Sequence, residues 1–326
     1  MSEEQSFEPR IEIAKLQQKI GEIKKEMGTV LIGQEKVVDL MITALLSKGH
    51  IMIEGVPGIA KTLAAKLLAT CTSTQFSRIQ FTPDLMPSDV LGTSVFNLKS
   101  SEFVFNKGPI FANLILIDEI NRAPAKTQSA LFEVMEEKQV TIDGQTYPMD
   151  LPFIVMATQN PIEHEGTYKL PEAQLDRFMF KIVMDYPTAE EEVSILERFN
   201  QNSLENTMQK VKQVINNKDL IEMQGIVSQV HAEQRLLKYI AQIIEETRQH
   251  NAFYLGGSPR AGLAILSGAK GWASIQGRDF ITPDDIKIIT YPALSHRLLL
   301  TAEKEMEGVK TEQILEKILE KIEVPR

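Results

Sequence analysis

The sequence predicts an α/β fold: a P-loop core with a five-stranded parallel sheet, followed by a smaller all-helical lid. Three observations carry this reading. Five short apolar runs lie before residue 185, separated by helix-like or irregular stretches. A glycine-rich loop joins the first run directly to a helix. After Tyr186-Pro187-Thr188 β-branched clustering fades and helical patterning continues to the end. Nearly continuous apolar strands alternating with helices are what a parallel sheet covered on both faces requires.

Taken in order, Ile13, Leu16, Ile20, Ile23 and Met27 recur at helical spacing, so residues 11–27 read as a leading amphipathic helix. HIMIEG (50–55) is a short apolar run ending in glycine, a buried strand, and LAAKLLAT after the loop is strongly helical. FSRIQF (76–81), LILIDE (114–119), PFIVMATQ (152–159) and FMFKIVM (178–184) supply the other four strands. From Glu190 onward the pattern is helical and closes with TEQILEKILEKIE, where Ile314, Leu315, Ile318, Leu319 and Ile322 share one face. The expected division is therefore 1–187 for the α/β core and 188–326 for the helical lid.

Bulk properties narrow the function. A chain of 326 residues exceeds a typical single domain. The net charge of −9 argues against a broad nucleic-acid surface. One cysteine, Cys71, excludes an intramolecular disulfide framework and reads as a small buried hydrophobe at a helix end. The opening MSEEQSFEPR is acidic and polar, and no apolar run approaches the roughly 18 residues of a membrane span. A cytoplasmic protein without stable membrane insertion is expected.

The chemistry starts at GVPGIAKT, Gly55 to Thr62, which follows G-x-x-x-x-G-K-[ST] except that Ala60 replaces the second glycine. Its strand–loop–helix context is the one a phosphate loop needs, because backbone N–H groups and a helix N-terminus together cradle an anion. Gly55, Val56, Pro57, Gly58, Ile59, Ala60, Lys61, Thr62 and Leu63 make up the expected cradle. Lys61 is expected to face the terminal phosphates, and the Thr62 hydroxyl to hold Mg²⁺. Alanine fits at position 60 if the backbone there is already right-handed, and is disfavoured if φ is positive.

LILIDEI ends a buried strand in Asp118-Glu119, at the edge where open α/β sheets bind ligands. Asp118 is expected in the magnesium shell and Glu119 as the general base for water. In VMATQNP, Asn160 closes another strand and can orient that water; a plain Asn-Pro turn is the alternative. In LPEAQLDRF, Arg177 precedes the last strand and could stay exposed to reach a neighbour's nucleotide. In GGSPRAG, Ser258 reads as an N-cap, Pro259 as the first helical residue, and Arg260 lies in the first turn. Positive charge there opposes the helix dipole, so a γ-phosphate from the first domain, or a nearby glutamate, should favour it.

These stretches together resemble the AAA+ ATPases, and more narrowly the MoxR group. The resemblance runs through VLIGQEKVVD, GVPGIAKT, RIQFTPDLMPSDVLGT, KGPIFANLILIDEINRAPAKTQSALFEVMEEKQVTIDG, ATQNPIEHEGTYKLPEAQLDRF and GGSPRA. Alanine before the lysine is common in that group. The resemblance implies an adenine pocket from Val30 to Gln34, including Gly33 and Gln34, and hence ATP with Mg²⁺. It implies a homo-oligomeric ring, commonly a hexamer, with the site between subunits. Hairpin insertions near 94–108 and 138–150 match the clade. Relatives remodel protein complexes in a chaperone-like way, often with a partner bearing a von Willebrand factor A domain. A nucleic-acid motor is the rival reading, and Arg122 either faces a neighbour or forms an internal ion pair.

Other candidates carry less. His50, His164, His231, His250 and His296 show no ligand spacing. NNKDL (216–220) brushes a guanine-specifying motif, but Leu220 stands at the aspartate position. Phe103, Val104 and Phe105 either grip substrate or simply pack within their hairpin.

Overall fold

The computed structural model describes residues 12–325 apart from 100, 161–167, 169, 202 and 203, so His164 lies outside the described residues. The chain begins with α1 (Ile13–Gly28), whose buried residues are Ile13, Leu16, Ile20, Ile23 and Met27, the five expected from spacing. There follow α2 (Glu35–Leu46), β1 (Ile51–Glu54), α3 (Lys61–Thr72), β2 (Phe76–Gln80) and α4 (Pro87–Leu91). A hairpin of β3 (Gly92–Asn97) and β4 (Glu102–Lys107) precedes β5 (Leu114–Asp118) and α5 (Ala125–Glu137). A second hairpin, β6 (Gln139–Ile142) and β7 (Gln145–Pro148), leads to β8 (Ile154–Gln159), α6 (Glu172–Leu175) and β9 (Phe180–Val183).

β1, β2, β5, β8 and β9 form one parallel sheet in the order β2-β5-β8-β1-β9. Alternation along the strands divides the interior. Ile51, Ile53, Leu114, Leu116, Ile154 and Met156 face α1–α3, whereas Met52, Ile115, Ile117, Val155 and Ala157 face the side of α5. Full burial contributes about 1.5–3 kcal/mol per large apolar side chain, so both faces fix the strand register. Both hairpins stand outside this sheet. Asp143 and Gly144 both have positive φ, 51° and 76°, as a tight two-residue β6–β7 turn demands.

After β9 come the helices α7 (Ala189–Gln201), α8 (Leu204–Lys210), α9 (Asn217–Ser228), α10 (Gln234–Gln249), α11 (Pro259–Ile275), α12 (Pro283–Leu294), α13 (Ala302–Met306) and α14 (Thr311–Lys321), the later of which make up the lid. Two strands too short for any periodicity, β10 (Phe253–Leu255) and β11 (Leu299–Leu300), pair antiparallel. Asn216 caps α9 by accepting from the N–H groups of Lys218 and Asp219, so NNKDL is a helix start. Ser258 caps α11, as expected. Lid helices share one apolar core with α1–α3. Within it α11 runs antiparallel to α2: Ser47 Oγ donates to Ser267 O at 2.9 Å, while Gly271 lies against Thr43. A Cβ on Gly271 would come within 2.5 Å of Ser47 Oγ, so only glycine permits the approach. This packing leaves the start of α11 beyond the N-terminal edge of the sheet, because α2 ends there just before β1.

Candidate nucleotide site

The phosphate loop leaves the C-terminal end of β1 and opens α3. Gly58 and Ala60 both have positive φ, +89° and 69°. Ala60 thus adopts the left-handed conformation that disfavours alanine, at a cost of roughly 1–2 kcal/mol. The right-handed alternative for position 60 does not occur; the local helix start holds the strained residue instead, with Ala60 O accepting from Ala64 N at 2.9 Å. Lys61 Nζ donates to Gly55 O, and to Val56 O at 3.3 Å. Leu63 continues the first turn of α3.

β5 delivers its carboxylates beside this loop. Thr62 Oγ1 donates to Asp118 Oδ2 at 3.4 Å, and Arg78 Nε lies 2.6 Å from the same oxygen. Thr158 Oγ1 donates to Asp118 Oδ1 at 3.1 Å and accepts from Glu119 N at 3.0 Å, so one hydroxyl spaces the two acids. Glu119 has φ 57° and ψ 53°, a left-handed residue of the kind concentrated at functional sites. Its Oε2 accepts from Gln80 Nε2 at 3.0 Å and pairs with Arg122 Nε at 2.8 Å. Of the two alternatives for Arg122, the internal ion pair is the one present. Asn160 follows β8, which lies between β5 and β1, so it stands between Glu119 and the loop and is 7% exposed.

A cleft of about 280 Å³ opens where β9 ends, lined by Gly33, Gln34, Val183 and Tyr186 from the core and by Tyr291 and Glu312 from the lid. Gln34 Nε2 donates to Asp185 O at 3.2 Å. Gly33 has φ +71°, and a Cβ there would lie 2.3 Å from the Glu191 carboxyl carbon. Of the expected Val30–Gln34 segment, Gly33 and Gln34 border this cavity.

The two arginines lie elsewhere. Arg177 precedes β9, at the opposite edge of the sheet from the loop, because β1 and β9 are parallel neighbours paired from Ile51↔Phe180 to Glu54↔Val183. Four strand residues at about 3.3 Å each separate these edges. Arg177 is half-buried: NH1 donates to Phe132 O, the guanidinium lies 6.0 Å from the Phe132 ring centre, and Nε is 3.8 Å from Glu136 Oε2. Arg260 NH2 lies 2.5 Å from Glu136 Oε1. The expectation that Arg260 reaches a phosphate held by its own core is therefore not met. The glutamate alternative is present, because antiparallel packing of α11 on α2 carries Arg260 to the far edge.

Buried histidines stiffen this edge. His50 accepts from Val155 N at Nδ1, 2.9 Å, and Nε2 faces Met135 O at 3.3 Å. Loss of solvation pushes its pKa down to about 4, and the hydrogen bond to Met135 opposes that shift, so the ring is neutral. Burial likewise holds His296 well below the ordinary range, with Arg297 adding to the effect.

Arg78, Gln80, Thr158 and Glu136 escaped the reading of the sequence. Arg78 and Gln80 left a trace, since polar residues two apart near the end of β2 share a face beside β5. Glu136 left none, because its partners lie 41 and 124 positions away.

Among the described residues no helix is long and apolar enough to cross a membrane. Residues 50–180 match the family described as ATPase family associated with various cellular activities (AAA), and residues 245–318 match the AAA lid domain. YeaC of Bacillus subtilis is 44% identical over 306 residues, covering 94% of this chain and 95% of its own. Chaperone MoxR1 of Mycobacterium tuberculosis is 42% identical over 324 residues, covering 97% and 84% respectively. A crystal structure from Cytophaga hutchinsonii, described as a candidate ATPase, superposes with a TM-score of 0.89 at 42% identity over 96% of this chain and 97% of that one. Loop, acidic strand end, lid and overall likeness agree: the chain belongs to the MoxR family of AAA+ ATPases.

Proposed function

We propose that the protein hydrolyses ATP at interfaces between its own copies in a ring, commonly a hexamer in the family, and uses the resulting lid movement to remodel a partner protein complex. The observation that carries this is the division of the site. Lys61, Thr62, Asp118, Glu119 and Asn160 gather at one edge of the sheet, while Arg177 and Arg260 gather around Glu136 at the other. One copy therefore supplies the cradle and base, and the next supplies two guanidiniums.

The Gly55–Leu63 loop and Lys61 bind the phosphates, and the cleft at Gly33 and Gln34 takes the base. Thr62 and Asp118 present convergent hydroxyl and carboxylate oxygens, hard ligands suited to Mg²⁺, which when bound would offset phosphate charge. Glu119 removes a proton from water as its oxygen attacks the γ-phosphorus and the bond to the β-phosphate oxygen breaks. Asn160 orients that water. The neighbour's Arg177 and Arg260 neutralise charge developing on the γ-phosphoryl oxygens, an effect of about 10³–10⁵ in rate for a finger arginine. The chaperone name of the Mycobacterium relative supports a protein client, and a partner with a von Willebrand factor A domain fits the family.

The test is steady-state ATP turnover of the wild type beside Glu119→Gln. A loss of at least about a hundredfold is expected for the variant, within the range of general-base contributions. Equal rates would remove Glu119 from its assigned role.

A further inference from the structure

Asp176, immediately before Arg177, joins the finger loop to the lid. Ser258 Oγ is 3.0 Å from each of its carboxylate oxygens, and Arg297 Nε lies 2.7 Å from Oδ1. Ser258 is the N-cap of α11, two residues before Arg260. Arg297 follows α12, and only 3% of its side chain is exposed.

The Arg297 guanidinium spends all its donors on this segment and on the end of α12. Besides Nε to Asp176 Oδ1, NH2 donates to Asp176 O at 2.9 Å and Phe178 O at 2.7 Å. NH1 donates to Met179 O at 3.0 Å and to Ala293 O. Five N–H groups thus meet five acceptors, and four of those acceptors belong to Asp176, Phe178 and Met179, which flank Arg177. A buried arginine is costly to desolvate, and an apolar residue of similar volume would pack this edge at no such cost. What the planar fork supplies instead is one fixed shape for the loop. A lysine, with three donors and no plane, cannot reproduce it.

We propose that Asp176, Ser258 and Arg297 form a yoke that makes Arg177 and Arg260 a single rigid pair, delivered together to the adjacent copy's nucleotide. Arg297 and Asp176 touch no substrate in this scheme; they are positioning residues. The inference rests on the two-copy reading above. Its consequence is that lid rotation moves the finger as well as Arg260, so neither can be engaged alone.

The test is steady-state ATPase kinetics for the wild type, Arg177→Ala, Arg297→Lys and the double variant, with oligomer size measured alongside. Arg297→Lys is expected to lower kcat at least about tenfold with KM for ATP within about twofold, because its own nucleotide pocket lies at the other edge. The double variant should be slower than Arg177→Ala by clearly less than the separate loss in Arg297→Lys, since Arg297 acts in part through Arg177 and only the share carried by Arg260 remains. Asp176→Asn, nearly isosteric, should give the same pattern and serves where Arg297→Lys does not fold. Wild-type kcat in the yoke variants, beside a slow Arg177→Ala, would overturn the yoke and leave the two-copy reading intact. Losses that multiply in the double variant, or that fall on KM, would also overturn it. Wild-type kcat in Arg177→Ala would instead overturn the two-copy reading, and the yoke with it.

Discussion

Glu136 and Arg260 meet across the junction of core and lid, with the arginine NH2 2.5 Å from the glutamate Oε1. The other carboxylate oxygen lies 3.8 Å from Arg177 Nε. One anion therefore gathers two guanidiniums at the sheet edge remote from their own phosphate loop. It does within the subunit what a neighbour's phosphate is proposed to do between subunits.

Glu136→Gln should therefore leave folding almost untouched and should not slow turnover. Both ion pairs are partly exposed, and such pairs are worth about 0–1 kcal/mol. With a competing anion removed, ATPase activity is expected at or above the wild-type rate. A tenfold loss in steady-state turnover would show that Glu136 takes part in hydrolysis itself.

At position 60 the backbone is left-handed, which sets opposite expectations for two substitutions. Ala60→Gly should bind ATP as well as the wild type, since glycine adopts φ near +70° without strain. Ala60→Val should bind about tenfold more weakly, because a β-branched residue resists this conformation by roughly 1–2 kcal/mol more. Fluorescence titration with a labelled nucleotide separates these outcomes, and equal affinity for both variants would mean the loop is remodelled on binding.

The fold was legible because its signals are local. The five apolar positions of α1 repeat at one helical face, and the glycine-rich loop sits between a strand and a helix in unbroken sequence. Asp118 and Glu119 were legible for the same reason, being the polar end of an apolar run. The left-handed backbone at Ala60 was not, since alanine there argues against the conformation it adopts. Nor was the placement of Arg260, which depends on the direction in which α11 packs across α2, a relation between elements more than 200 residues apart. Arg297 follows the same pattern: four of its five acceptors lie about 120 positions away in Asp176, Phe178 and Met179, and the fifth is Ala293 at the end of α12.

Stability should fall as acid reaches His50. Its folded pKa of about 4 lies below the ordinary value of 6.5, so the unfolded chain binds the extra proton first. The contribution is fully present above about pH 6.5 and is lost as pH falls toward 4, amounting to roughly 2 kcal/mol between pH 7 and pH 5. His296 shifts in the same direction. Urea unfolding at the two pH values should show this loss, and His50→Gln should reduce it. An unchanged pH dependence in that variant would assign the effect to other groups.

Cys71 should resist thiol reagents in the native protein. It is buried at 0% exposure, and loss of solvation pushes its pKa up to about 12, with Glu26 adding to the effect. Reaction with a chromogenic disulfide at pH 8 should titrate one thiol in urea and almost none without it. Rapid native labelling would mean that the end of α3 opens readily.

The most direct test mixes two inactive variants. Lys61→Ala subunits lack a working cradle but retain Arg177, and Arg177→Ala subunits retain the cradle but lack the finger. Co-assembled in rings verified by mass, they should recover a substantial fraction of wild-type turnover, because some interfaces again combine both groups. No recovery at any mixing ratio would contradict a site shared between copies.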